Sequence, residues 1–267
     1  MHDFAFVFAG FAVGLIVGLT GVGGGSLMTP ILIFFFGIKP HMAVGTDLLF
    51  AAFTKMGGTV SLARQRLVPW RVVGMLCAGS IPAALASLWL LHYLGPASAK
   101  AQHIMTTTLG IALLLTAAAT LYKVIAFSHT KQTTDHAKRL ANPELATQPR
   151  HWSLPILLGA VIGTLVTFTS VGAGAVGVTV LLLVYPLLPL PRIIGADIAY
   201  AVPLTLVAGL GHASLGSVDW PLLALLLAGS LPGIWLGSRL VSHAPERLIR
   251  SALSVLLAWA GAKLVLI

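Results

Sequence analysis

The chain repeats itself, and the repeat restricts what it can fold into. Gly45-Thr46-Asp47 recurs 150 residues on as Gly195-Ala196-Asp197, and Trp70 recurs as Trp220. Ala78-Gly79-Ser80-Ile81-Pro82 returns as Ala228-Gly229-Ser230-Leu231-Pro232. Upstream, Thr20-Gly21-Val22-Gly23-Gly24-Gly25 matches Thr169-Ser170-Val171-Gly172-Ala173-Gly174, with the offset slipped by one. Two apolar halves of about a hundred residues each are the mark of a duplicated transporter in a bilayer, with its ligand between the halves.

Composition identifies the solvent. The chain is 57% hydrophobic and 9% charged, against about 25% charged in soluble domains. Its mean hydropathy is +0.96. These values predict an all-helical integral membrane protein. A net charge of +9 would point to nucleic acid in a soluble protein. Here the cations stand between apolar runs and report topology, so no nucleic-acid partner is expected. The first apolar run follows His2 and Asp3 with no basic n-region, which argues against a signal peptide. Cys77, the only cysteine, cannot form an internal disulfide.

Five apolar segments are legible in each half. They cover roughly 4–20, 26–37, 42–62, 70–92 and 99–122, then 154–169, 175–188, 194–214, 221–242 and 246–266. A spanning helix needs about 20 residues, and the first two segments of each half fall short. These short pairs flank the glycine clusters, where a helix breaks. Each half is therefore expected to be a broken or re-entrant helical hairpin plus three transmembrane helices. Three crossings invert the second half relative to the first.

The charges test that inversion. If the N-terminus defines one side, the other side receives Arg64, Arg66, Arg71, Lys123, Lys131, Lys138, Arg139, Arg150, Arg192, Arg239, Arg247 and Arg250. The N-terminal side receives Lys39, Lys100 and Lys263. Twelve cations against three make the first group cytoplasmic and place both termini outside. The organisation expected is a first repeat over 1–126, a polar cytoplasmic linker over 127–152 and a second repeat over 153–267.

Where a broken helix restarts, its first N–H groups are unpaired and its dipole directs positive charge at the gap. Gly23, Gly24, Gly25 and Ser26 in one half, and Gly172, Gly174 and Thr179 in the other, would therefore suit a small oxyanion. Asp47 and Asp197 lie at membrane depth, where a charge costs about 2.5–3.5 kcal/mol. Two roles are open for them, coupling or gating by a proton, and capping of a helix start. Lys55 stands opposite an uncharged repeat mate, Thr205. Its ammonium can attract an anion, or it can snorkel about 10 Å to the interface, the commoner behaviour. His212 can relay protons, although interfacial hydrogen bonding is the commoner use of such a histidine. Trp70 and Trp220 suit the interface, and Pro82 and Pro232 suit kinked helices. Neither a metal-ligand set nor a catalytic nucleophile stands at working spacing, so neither enzyme chemistry nor a cofactor is expected.

Three stretches carry a resemblance to a known family. They are Gly18-Leu19-Thr20-Gly21-Val22-Gly23-Gly24-Gly25, Ala43-Val44-Gly45-Thr46-Asp47 and Gly216-Ser217-Val218-Asp219-Trp220. Together they resemble the sulfite exporter TauE/SafE family of membrane transporters. The resemblance implies secondary transport of small sulfur-containing anions such as sulfite or organosulfonates, mostly as export across the bacterial inner membrane. The family's His…Gly-x-Val-Asp-Trp arrangement is kept at His212 and Gly216–Trp220. The first half departs from it with Leu62, Arg66, Val68 and Pro69. An anion channel, or a carrier for another oxyanion or a carboxylate, is the alternative. Export of an anion would be favoured by the negative-inside potential, worth about 2.3 kcal/mol per charge per 100 mV.

Overall fold

The computed structural model describes residues 2–20, 25–129, 153–172, 174–240 and 246–266. Among them are ten helices and no strand. The first half contributes α1 (His2–Thr20), α2 (Gly25–Phe34), α3 (Pro40–Arg64), α4 (Trp70–Leu94) and α5 (Ala99–His129). The second contributes α6 (Ser153–Thr169), α7 (Ala175–Val184), α8 (Leu190–Ser214), α9 (Trp220–Leu240) and α10 (Glu246–Val265). Every segment read from the sequence has its helix. Residues 130–152, most of the expected linker, lie outside the described residues.

Four of these helices are long and apolar enough to cross a membrane: α4, α5 over Ala99–Leu121, α8 and α9. α3 has the length, 25 residues, but Asp47, Lys55 and Arg64 dilute its apolar character. Large apolar side chains such as Phe8, Trp89 and Trp259 point outward and are exposed, as a lipid-facing surface allows and water does not. Trp70 and Trp220 are likewise exposed at the starts of their helices.

Where the two halves differ in sequence, the backbone still agrees. At the end of α3 the Leu67 N–H donates to Leu62 (3.0 Å) and the Arg66 N–H to Ala63 (3.0 Å). At the end of α8 the Ser217 N–H donates to His212 (2.9 Å) and the Gly216 N–H to Ala213 (3.0 Å). Both are Schellman closures, whose last residue turns left-handed. That residue is Arg66 (φ 56°) in one half and Gly216 (φ 68°) in the other. Glycine adopts this conformation freely, whereas arginine does so at about 1–2 kcal/mol.

Small residues set the packing. α1 presents Gly10, Gly14 and Gly18 to α9, which answers with Gly229, Gly233 and Gly237. A Cβ at any of the six would press into a backbone carbonyl of the other helix. Between helices in lipid the hydrophobic effect is absent, so close backbone approach of this kind supplies the attraction. The contacts climb both helices together, so α1 and α9 run parallel. α6 repeats the arrangement on α4, with Gly159 against Leu76 and Gly163 against Ser80. The long arm of each hairpin thus packs on the fourth helix of the opposite half.

Between these pairs α3 crosses α8 in the reverse sense. Gly45 meets His212 and Ser217, Leu49 meets Gly209, and Gly58 meets Ile198. The two repeat mates are therefore antiparallel. Two apolar cores flank the crossing. One gathers Met28, Leu32, Phe50, Leu113, Leu226 and Leu257, and the other gathers Leu76, Ile162, Leu181, Tyr185 and Leu204. Each core draws on both halves.

Candidate anion site at the crossing of α3 and α8

The break between α6 and α7 is built by its own polar residues. Thr169 donates its hydroxyl to the Leu165 carbonyl (2.6 Å) and accepts from the Val171 N–H (3.0 Å). Ser170 follows with φ 59°, and Gly172 and Gly174 have φ 133° and 126°. α7 then starts on Gly174 with no side-chain cap. Among the described residues, the first of its N–H groups with acceptors are those of Gly177 and Val178, which donate to the Gly172 and Gly174 carbonyls (3.0 and 2.9 Å). The N–H groups ahead of them are the free donors that a helix start offers an anion. Gly172 itself folds back onto Leu165 and Val166 of α6. Gly23 and Gly24 lie outside the described residues. Gly25 and Ser26 form the first residues of α2, and their side-chain environment is outside the description as well.

Both aspartates are sealed from solvent, Asp47 at 0% and Asp197 at 2% exposure. Their helices begin at Pro40 and Leu190, so neither aspartate caps the helix it stands on, one of the two expected roles. Asp47 faces α2 instead, where the Thr29 hydroxyl donates to its Oδ2 at 2.5 Å. Ser170, at the tip of the opposite hairpin, lies close enough to act on the same carboxylate. Asp197 lies against α7, so near Gly177 that a Cβ there would collide with its Oδ1. Tyr200, one turn further along α8, is fully buried beside Gly177.

Lys55 does not snorkel. It is 8% exposed, and its ammonium stands within Coulombic reach of Asp197 and of Asp47. Its repeat mate Thr205 donates its hydroxyl to the Ala201 carbonyl of its own helix (2.8 Å), which makes the site chemically one-sided. His212 is not interfacial either. It is fully buried, and its Nε2 donates to the Thr167 carbonyl on α6 at 2.9 Å. This bond ties the end of α8 to a hairpin. On the same side, Asp219 accepts the Leu222 N–H (3.0 Å) and caps α9, while its own N–H donates to Thr46 (3.0 Å).

Two residues were missed from sequence. Thr29 carried a signal, because Thr29 and Thr179 stand 150 apart, as Asp47 and Asp197 do. Ser170 carried a subtler one, since its repeat mate is Gly21 and a left-handed position is glycine's by default.

The profile of the family described as Sulfite exporter TauE/SafE matches residues 6–264, which reaches into every helix above. The chain belongs to the TauE/SafE family. Among relatives, the probable membrane transporter protein YjnA of Bacillus subtilis is 35% identical over 97% of this chain and 98% of its own length. YdhB of the same organism, also named a probable membrane transporter protein, is 26% identical over 94% and 95%. No solved structure matches the chain. This TauE/SafE member is a membrane transporter, and its buried polar groups form a column along α3 and α8. Thr59 donates to the Ile198 carbonyl (3.5 Å), so the register puts Asp197 roughly 20 Å along the crossing from Asp47. Lys55 lies between them.

Proposed function

We propose that this TauE/SafE member is a secondary transporter of a small sulfur-containing anion, such as sulfite or an organosulfonate. The observation that carries the reading is the convergence of two broken hairpins on the α3–α8 crossing, where a buried lysine lies between two buried aspartates. The starts of α2 and α7 supply N–H donors, Lys55 supplies the compensating charge, and Ser170 and Thr29 supply hydroxyls. Gly23–Gly25, Ser26, Gly172, Gly174 and Thr179 belong to the same shell, and Asp47, Asp197 and His212 serve coupling or gating.

An inverted-topology repeat in a bacterial inner membrane is part of the proposal. In it the linker is cytoplasmic and both termini are outside. The antiparallel crossing of the repeat mates α3 and α8 supports it, as does the excess of cations on one side. Alternating access follows when the crossing opens first on one face and then on the other, and net export runs down the anion's gradient.

Purified protein in liposomes, offered labelled sulfite, thiosulfate, sulfoacetate and sulfate, tests the reading. Saturable uptake that is stimulated by unlabelled anion on the far side is expected of a carrier. Lys55→Met is expected to abolish it and Ser26→Ala to weaken it. Flux that is indifferent to both substitutions would remove the site assignment and leave the fold standing.

A further inference from the structure

The buried charges at the crossing do not balance. Among the described residues the buried carboxylates and ammonium groups are Asp47, Asp197 and Lys55, two acids around one base. The contact of Gly58 with Ile198 brings Asp197 level with α3 just past Lys55, whereas Asp47 lies about two turns back along α3, which makes Asp47 the surplus carboxylate. Its Oδ2 is held by Thr29. Its Oδ1, equally buried, receives no hydrogen bond from a described residue, and neither does the neighbouring Ser170 hydroxyl.

The groups around Asp47 among the described residues are Thr29 on α2, Ser170 at the end of α6, Lys55 and His41 on α3, His212 on α8, and Asp219 ahead of α9, with Asp197 roughly 20 Å further along the crossing. Of these, Lys55 alone carries an ammonium or guanidinium group. An anion entering beside Lys55 draws on that one cation and adds a second negative charge near Asp47. Water does not screen charges there, so the repulsion is strong. A proton on Oδ1 cancels it and turns the orphaned oxygen into a donor that the Ser170 Oγ can accept.

We propose that Asp47 is a proton-binding site and that each anion is carried together with one proton in the same direction. The inference rests on the anion-carrier reading above. Because coupling is reciprocal, the anion tightens the proton as much as the proton tightens the anion. For a monovalent anion the loaded carrier then moves no net charge. The membrane potential then drops out as a driving force, and the anion and pH gradients remain: an inward proton gradient favours uptake, and net export requires an outward anion gradient that exceeds it.

The experiment uses the whole protein in potassium-clamped liposomes with a trapped pH dye, the four anions named above and protein-free vesicles as the blank. With an inward gradient of one pH unit, the carried anion is expected to accumulate about tenfold, and its uptake to acidify the lumen. Asp47→Asn, which mimics the protonated acid, is expected to exchange anion across the membrane with neither accumulation nor acidification. Anion uptake without acidification in the wild type would overturn the coupling and leave the carrier reading intact. An Asp47→Asn variant that still acidifies would overturn the assignment to Asp47. Failure of all four anions to move would overturn the carrier reading and this one with it. If the variant does not insert, the wild-type dye measurement decides alone.

Discussion

Thr29 bonds the Asp47 carboxylate and Ser170 approaches it from the opposite hairpin, and their costs to the protein differ. Thr29 is buried on a regular helix and satisfied by its bond to Asp47. A hydrogen bond to a charged group is worth about 1.5–3 kcal/mol, so Thr29→Val is expected to lower the transport rate about tenfold or more in the liposome assay. Ser170 sits at φ 59°, where a side chain costs about 1–2 kcal/mol. Ser170→Gly is therefore expected to raise the unfolding midpoint in detergent while weakening anion binding. A variant that gains stability and transports normally would show that the hydroxyl has no part in the site. The same contrast separates Lys55 from Thr205. Two side chains at equivalent places do unlike things because one is charged and faces two acids, while the other closes a hydrogen bond on its own helix.

At the scale of helices, the glycines divide into two sets with different duties. Those at the breaks provide conformations that side chains resist, as Gly174 does at φ 126°. Those at Gly10, Gly14, Gly18, Gly229, Gly233 and Gly237 are ordinary helical residues whose missing side chains let α1 and α9 touch. Gly14→Leu or Gly233→Leu must push the two backbones apart, at about 1–3 kcal/mol for overpacking. The expected result is a detergent melting point lower by several degrees. Gly74, with nothing near its missing Cβ, is the control, and Gly74→Leu should leave the melting point unchanged. The loops after α3 and α8 make a related point. Arg66 and Gly216 occupy one backbone turn, because the turn is held by main-chain hydrogen bonds that no side chain supplies.

For the molecule as a whole, the exchange of hairpins between halves determines what can move. α1 is locked to α9 and α6 to α4 through backbone contact, so the two repeats cannot rock as separate bodies. Motion is then expected between the two cores, each mixing both halves, which meet along α3 and α8. Joining that seam is therefore expected to stop transport. In a Cys77→Ser background, Gly58→Cys with Ile198→Cys places the pair within reach, since the Gly58 Cβ position lies 3.6 Å from an Ile198 methyl. Oxidation should abolish uptake and reduction restore it. Undiminished uptake in the cross-linked protein would rule out motion at this crossing.

The sequence by itself determined the number and approximate places of the helices, the duplication and the places where helices break, although α5 runs on to His129, past the expected 122, and α7 ends at Val184, short of the expected 188. Each of these depends on local chemistry: apolar run length, glycine's freedom and repeated motifs. Helix limits such as Trp70 and Ser214 are legible because the residues that start or stop a helix are neighbours in the chain. Only the tertiary structure decided which polar groups face each other. That Asp47 is met by Thr29, that Lys55 stays buried instead of reaching the interface, and that His212 ties α8 to α6 all depend on helices crossing at one point. The crossing of α3 over α8 brings together residues up to 173 positions apart, as Thr46 and Asp219 show. Burial and partnership are properties of that crossing, and no single helix carries them.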